Sequence, residues 1–160
     1  IEREDRFVSR VNTDNYMGGV QAASLLVKSG CNIVIHVNGD LSEAVPAYGR
    51  IKRFREFCES RNINHRVILT DLGNNFEENH SRIQKLFTEL ESSYKEMKIG
   101  LFMPNDTHAS ILLNIIVQKY GKLPDRFRII GFDNSPVSRE TIIPISTIGQ
   151  QVGIMADSAM

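Results

Sequence analysis

The sequence predicts an α/β fold, a parallel sheet with helices on both faces, and three observations carry that prediction. Short runs rich in Ile, Val and Phe recur along the chain, the first of them, Cys31 to Val37, without a charge, as strands covered on both sides require. Between them lie segments whose apolar residues recur at steps of three and four, the period of amphipathic helices. Turn and breaker residues such as Asn38-Gly39-Asp40 and Gly121 mark the junctions. Strands alternating with helices form βαβ units, whose right-handed crossovers put helices on both faces of one sheet.

The first helix is predicted between Asp14 and Ser29, where Met17, Val20, Ala23, Leu26 and Val27 share the helical period and Gly30 supplies the stop. The pair Gly18-Gly19 inside it reads as a place of close helix packing. A strand follows over Cys31 to Val37, then a helix from about Pro46 to Asn62 and a strand over His65 to Thr70. The alternation goes on with a helix from about Glu77 to Tyr94, a strand over Ile99 to Met103 and a helix from about Asp106 to Tyr120. After a loop with Gly121 and Pro124 comes a strand over Phe127 to Phe132. The run from Cys31 to Asp133 reads as one compact unit. The ends fit less well, because a helix precedes the first strand and the pattern after Gly149 stops in mid-element. Both ends are therefore expected to continue into something larger.

At 160 residues the chain can build one ordinary core. The 19 basic and 19 acidic side chains cancel, so the net positive field that attracts nucleic acid is absent and this stretch by itself is not expected to bind DNA tightly. Cys31 and Cys58 fall in separate elements without metal or redox spacing and read as reduced packing residues. No apolar run reaches the roughly 20 residues of a membrane span, and the charged start is unlike a signal peptide. A soluble cytoplasmic protein is the expectation.

Ligands of open parallel sheets bind beyond the carboxyl ends of the strands, where loops and helix starts converge. Four residues there stand out: Arg50, Phe76, Asn105 and Asp133. A guanidinium fork and a carboxylate complement vicinal hydroxyls, and a ring face stacks on the C–H face of a sugar or on a base. Each also has a bland reading. Arg50 sits among Lys52, Arg53 and Arg55 and fits a solvated helix face; Asn105 and Asp133 fit turns or helix caps; Phe76 fits a hydrophobic staple. Asp106 reads as an N-cap. The four histidines lie on separate elements, and no nucleophile elbow, phosphate loop or metal-binding helix motif occurs, so no metal, no cofactor and no enzymatic activity are expected.

Several segments agree, in order and spacing, with one family. Val11 to Gly19 with Ala22-Ala23, Arg50 with Phe54, Phe102 to Asp106, Gly131-Phe132-Asp133-Asn134, and Pro144 to Gln150 together resemble the lactose-repressor/galactose-repressor family of bacterial transcriptional regulators. That resemblance implies a two-lobed core like that of periplasmic sugar-binding proteins, with a small-molecule effector, expected to be a sugar, between the lobes. Residues 1–29 would then be the tail of the N-terminal lobe, 30–148 the C-terminal lobe, and 149–160 the start of a segment returning to the first lobe. Effector contacts implied by the resemblance are Asp14, Arg50, Phe76, Asn105, Asp133 and Gln150. Arg53 stands where the family usually has glycine, and Cys31 where it often has histidine.

The resemblance also implies operator binding through a helix-turn-helix N-terminal to this stretch, and a homodimer. The helix from Asp106 is apolar around much of its circumference, so one face, built from Ile111, Leu112 and Ile115, is expected to meet the partner. The alternative is a periplasmic-type sugar-binding protein of the same fold. A flavodoxin-like enzyme would need a phosphate loop or an acidic cluster at the first strand end, where Asp40 stands alone.

Overall fold

The structure is a computed structural model, which describes residues 17–39, 46–133, 135–141 and 143–149. Helix α1 (residues 17–28) precedes β1 (Ile33–Asn38), α2 (Pro46–Ser60), β2 (His65–Leu69) and α3 (Phe76–Ser93). There follow β3 (Ile99–Phe102), α4 (Asp106–Tyr120), β4 (Phe127–Phe132), α5 (Val137–Glu140) and β5 (Ser146–Ile148). All pairings are parallel, in the order β2-β1-β3-β4-β5. The predicted α/β class and its four strands are present. Two short elements escaped the sequence reading: α5 has four residues and β5 three, too few to show a period.

Residues alternate between the faces of each strand, and two separate cores result. Ile33, Ile35, Leu101 and Ile129 pack under α3 and α4. Val34, Phe102, Ile130 and Phe132 pack under α1 and α2, with Phe54 and Cys58 of α2. Ala22, Ala23 and Leu26 of α1 belong to this second core. Helix α1, which the sequence reading put in the tail of the other lobe, thus packs on this sheet beside α2. Gly19 explains how the two helices approach. A Cβ there would stand 2.3 Å from the Arg50 carbonyl oxygen and 3.0 Å from the Phe54 nitrogen, so the backbones meet where no other residue fits.

The helix α4 required a second correction. Ile111, Leu112 and Ile115 are 3%, 2% and 6% exposed within the one chain, so the face expected to meet a partner is already covered. The physical reason is that α4 touches the sheet, α3 and α5 at once, and a helix clasped on three sides must be apolar around most of its girth. Cys31 and Cys58 are free thiols; burial raises both pKa values, that of Cys58 to about 12.

Candidate functional site

Strand order locates the site. From β1 the chain turns outward through α2 to β2, and from β3 it turns the other way through α4 to β4. The carboxyl ends of β1 and β3 thus form the switch point, where the connections diverge to opposite faces and leave a crevice.

Arg50, in the second turn of α2, reaches across this point. It is 8% exposed. Its Nη1 donates to the carbonyl of Pro104 at 3.3 Å, and its guanidinium carbon lies 3.8 Å above the centre of the Phe132 ring. The residues it touches are those immediately before Asn105 and Asp133. Its Nε is buried and finds no hydrogen-bond partner among the described residues. Burial pushes its pKa down to about 10, against the opposing pull of the Asp133 carboxylate. A buried cation with an open donor at a switch point is the feature here that a bound polar group would explain.

Asp133 follows β4 directly, and its backbone N–H donates to Ile148 at 3.0 Å, carrying the β4–β5 ladder one residue further. Its φ of 92° is left-handed, a conformation a non-glycine residue holds only when its surroundings impose it. The side chain is exposed at the sheet's carboxyl edge. Asn105 is the N-cap of α4, its side-chain oxygen accepting from the His108 N–H at 2.9 Å. Capping occupies the oxygen and leaves the amide nitrogen out of that bond, so the bland and the binding readings of Asn105 are compatible.

Asp106 is not the cap that the sequence led us to expect. It is the first residue of α4, and its Oδ2 accepts from the N–H and the hydroxyl of Ser135 at 2.7 and 3.0 Å. Gly131 makes room, since a Cβ there would stand 2.1 Å from Oδ1. The carboxylate thereby ties the start of α4 to the loop just beyond Asp133.

Phe76 stands apart from these three. It opens α3 after the edge strand β2, on the opposite face from Arg50, with its ring 61% exposed and His80 as a ring neighbour at 5.9 Å. With Asn75 as the N-cap of α3, its side chain accepting from the Glu78 N–H, Phe76 is the first helical residue and not the preceding position that a hydrophobic staple uses. Asp14 and Gln150 lie outside the described residues.

Two further polar residues on the Arg50 face were not read as site residues in the sequence. Asn38 ends β1 at the switch point; it is buried, its oxygen accepts from the Gly39 N–H at 2.8 Å, and its Nδ2 finds no partner among the described residues. His36 is fully buried, stacked on Phe102 at 4.4 Å, with Nδ1 donating to the Phe102 carbonyl and Nε2 open. Burial lowers its pKa to about 3, so the ring is neutral. The signal that could have found both was a polar residue at every second position of a greasy strand. Among the described residues no group of three or more His, Cys, Asp or Glu side chains could hold a metal ion.

A doubly wound parallel sheet with a buried cation and open polar atoms at its switch point is a ligand-binding α/β domain. Residues 23–160 match the family described as periplasmic binding protein-like domain, and the chain belongs to that family. Among curated relatives it is similar to the ribose operon repressor of Halalkalibacterium halodurans, 24% identical over 92% of this chain and 44% of that protein. It is also similar to the ribose operon repressor of Lactococcus lactis, 28% identical over 91% of this chain and 43% of that protein. Among solved structures, a LacI family transcriptional regulator from Enterococcus faecium with bound ribose shares the fold with a TM-score of 0.70, at 21% identity over 91% of this chain and 52% of the other. The chain thus spans less than half the length of these curated relatives, and their similarity agrees with the lactose-repressor-type effector core read from the sequence. Among the described residues no helix is long and apolar enough to cross a membrane.

Proposed function

We propose that this chain is one lobe of the sugar-sensing core of a bacterial transcriptional repressor, a binding module and not an enzyme. The observation that carries the reading is Arg50, a buried guanidinium at the switch point whose contacts run to the residues before Asn105 and Asp133. Arg50, Asn105 and Asp133 supply paired donors, an amide and a carboxylate, the complement of vicinal hydroxyls. The ribose operon repressors among the relatives, and the ribose bound to the Enterococcus faecium regulator, support a sugar as the effector class. The resemblance to the repressor family adds Asp14 and Gln150 as effector contacts.

The mechanism is a shift of population. An effector touching two lobes favours one angle between them, and a differential affinity of about 1–3 kcal/mol is enough to change how the intact regulator holds operator DNA. The DNA contact belongs to a helix-turn-helix outside this stretch. Homodimer formation, which the resemblance implies, has to use a surface other than Ile111, Leu112 and Ile115.

The test is calorimetric titration of the intact two-lobed protein with a panel of pentoses and hexoses, D-ribose first, beside R50M; this lobe alone offers part of the contacts and is expected to bind weakly or undetectably. Binding of one sugar, weakened about 10- to 100-fold by R50M, is expected, the loss of charge-assisted hydrogen bonds. No binding across the panel, or equal affinity in R50M, refutes the reading.

A further inference from the structure

We infer that Asn79 and His108 are positioning residues that pin the β2–α3 loop to α4 and so set the place of Phe76 relative to Asn105. On α3 the buried positions Asn79, Ile83, Leu86 and Leu90 form one stripe facing the core. Asn79 is thus an amide where the period calls for a hydrocarbon. It is buried, as is His108 on α4, and the two meet with Asn79 Nδ2 3.4 Å from His108 Nε2. A polar pair in an otherwise aliphatic interface destabilises it unless its hydrogen bonds are made, so what the pair bonds to is its reason for being there.

It bonds to the loop. The Asn79 oxygen accepts from the Gly73 N–H at 3.0 Å, and its Nδ2 donates to the Gly73 carbonyl at 2.7 Å. One side chain thereby satisfies both polar groups of one peptide residue, six positions earlier in the chain, at the middle of the segment between β2 and Phe76. On the other side the His108 N–H is held by Asn105. Because Nδ2 can only donate, His108 Nε2 is the acceptor, which leaves the ring's proton on Nδ1, buried and without a partner among the described residues. A continuous path then runs from Gly73 through Asn79 and His108 to Asn105, linking the two parts of the candidate site that strand order leaves on separate connections.

The chain has no tryptophan, so F76W places a single indole at the end of the loop. In that background N79L is expected to speed hydrogen exchange of the Gly73 amide about tenfold and to raise the indole's local mobility in anisotropy decay, with Leu112 and Ile116 amides still protected. N79A removes the same hydrogen bonds without adding bulk or charge, so its effect has the same sense; it decides the matter if N79L does not fold. H108F leaves Asn79 on Gly73 but frees it from α4, raising indole mobility with Gly73 exchange unchanged. Unchanged mobility in all three variants, or a uniform loss of protection along α3 and α4, overturns the inference. The binding consequence rests on the sugar-site reading: N79L should weaken sugar affinity in proportion to the indole's mobility. A loosened loop with unchanged affinity removes Phe76 from the site while leaving the pin in place.

Discussion

Beneath α3 and α4 the sheet presents Ile33, Ile35, Val37, Leu101 and Ile129, whereas on the side of α1 and α2 the same strands carry His36, Asn38, Phe102 and Phe132, the last of them against the guanidinium of Arg50. The aliphatic face buries surface with no open polar atom on the strands, and it is where stability is made. The aromatic face buries a cation, a neutral imidazole and an amide whose nitrogens are not all paired among the described residues. Such groups cost stability wherever they are kept. What differs is therefore polar content: one face is hydrocarbon, and the other keeps buried polar groups beside its own core, next to the candidate site at the strand ends.

The largest break in that comparison is on the aliphatic side. Ile116→Ala, at a fully buried position, should cost about 2–5 kcal/mol in chemical denaturation while leaving sugar affinity per folded molecule unchanged. Arg50→Met should do the reverse, shifting stability by less than about 1 kcal/mol because a buried charge is relieved as its contacts are lost. If R50M loses as much stability as I116A, Arg50 is a structural group and the contrast between the faces fails.

The imidazole sharpens the comparison through pH. His36 has its pKa lowered from 6.5 to about 3 in the fold, so the unfolded chain binds the proton first as pH falls. Its contribution to stability is complete above about 6.5 and is lost toward about 3, at up to about 1.4 kcal/mol per pH unit. Denaturation midpoints measured from about pH 7 to pH 5 should fall with that slope, and His36→Leu should leave only the smaller slope of His108, whose pKa burial also lowers. A slope that persists undiminished in H36L assigns the effect elsewhere. The smallest effect is at Phe76. Because its ring is mostly exposed, Phe76→Ala should change stability by less than about 0.5 kcal/mol yet weaken sugar binding by about two- to tenfold if the ring stacks.

Much of this was legible along the chain, and what escaped has particular causes. The helix from Asp106 to Tyr120 was read with its observed bounds because its period is strong and Gly121 ends it. Arg50, Asn105 and Asp133 were legible as strand-end residues, and the Arg50 guanidinium touches Pro104 and Phe132, the residues just before the other two. Asn38 was legible only as a turn residue and Asn79 only as one polar residue among those opening a helix, since what an amide bonds to across the fold is not written in its own segment. Ile111, Leu112 and Ile115 misled for a related reason: an all-round apolar helix shows that it is covered, not by what.

By itself the sequence determined the alternation of strand and helix, the greasy strands of a sheet covered on both sides, and the polar groups collected at the strand ends. These are periodic, local properties, set by side-chain spacing within a single element. Only the tertiary structure decided the order β2-β1-β3-β4-β5, which puts the switch point between β1 and β3 and makes Arg50 bridge it. It alone assigned α1 to this sheet, covered the α4 face expected to be free, and joined Gly73 to Asn79 and His108. Those outcomes depend on pairings between segments far apart in the chain, which no local period encodes.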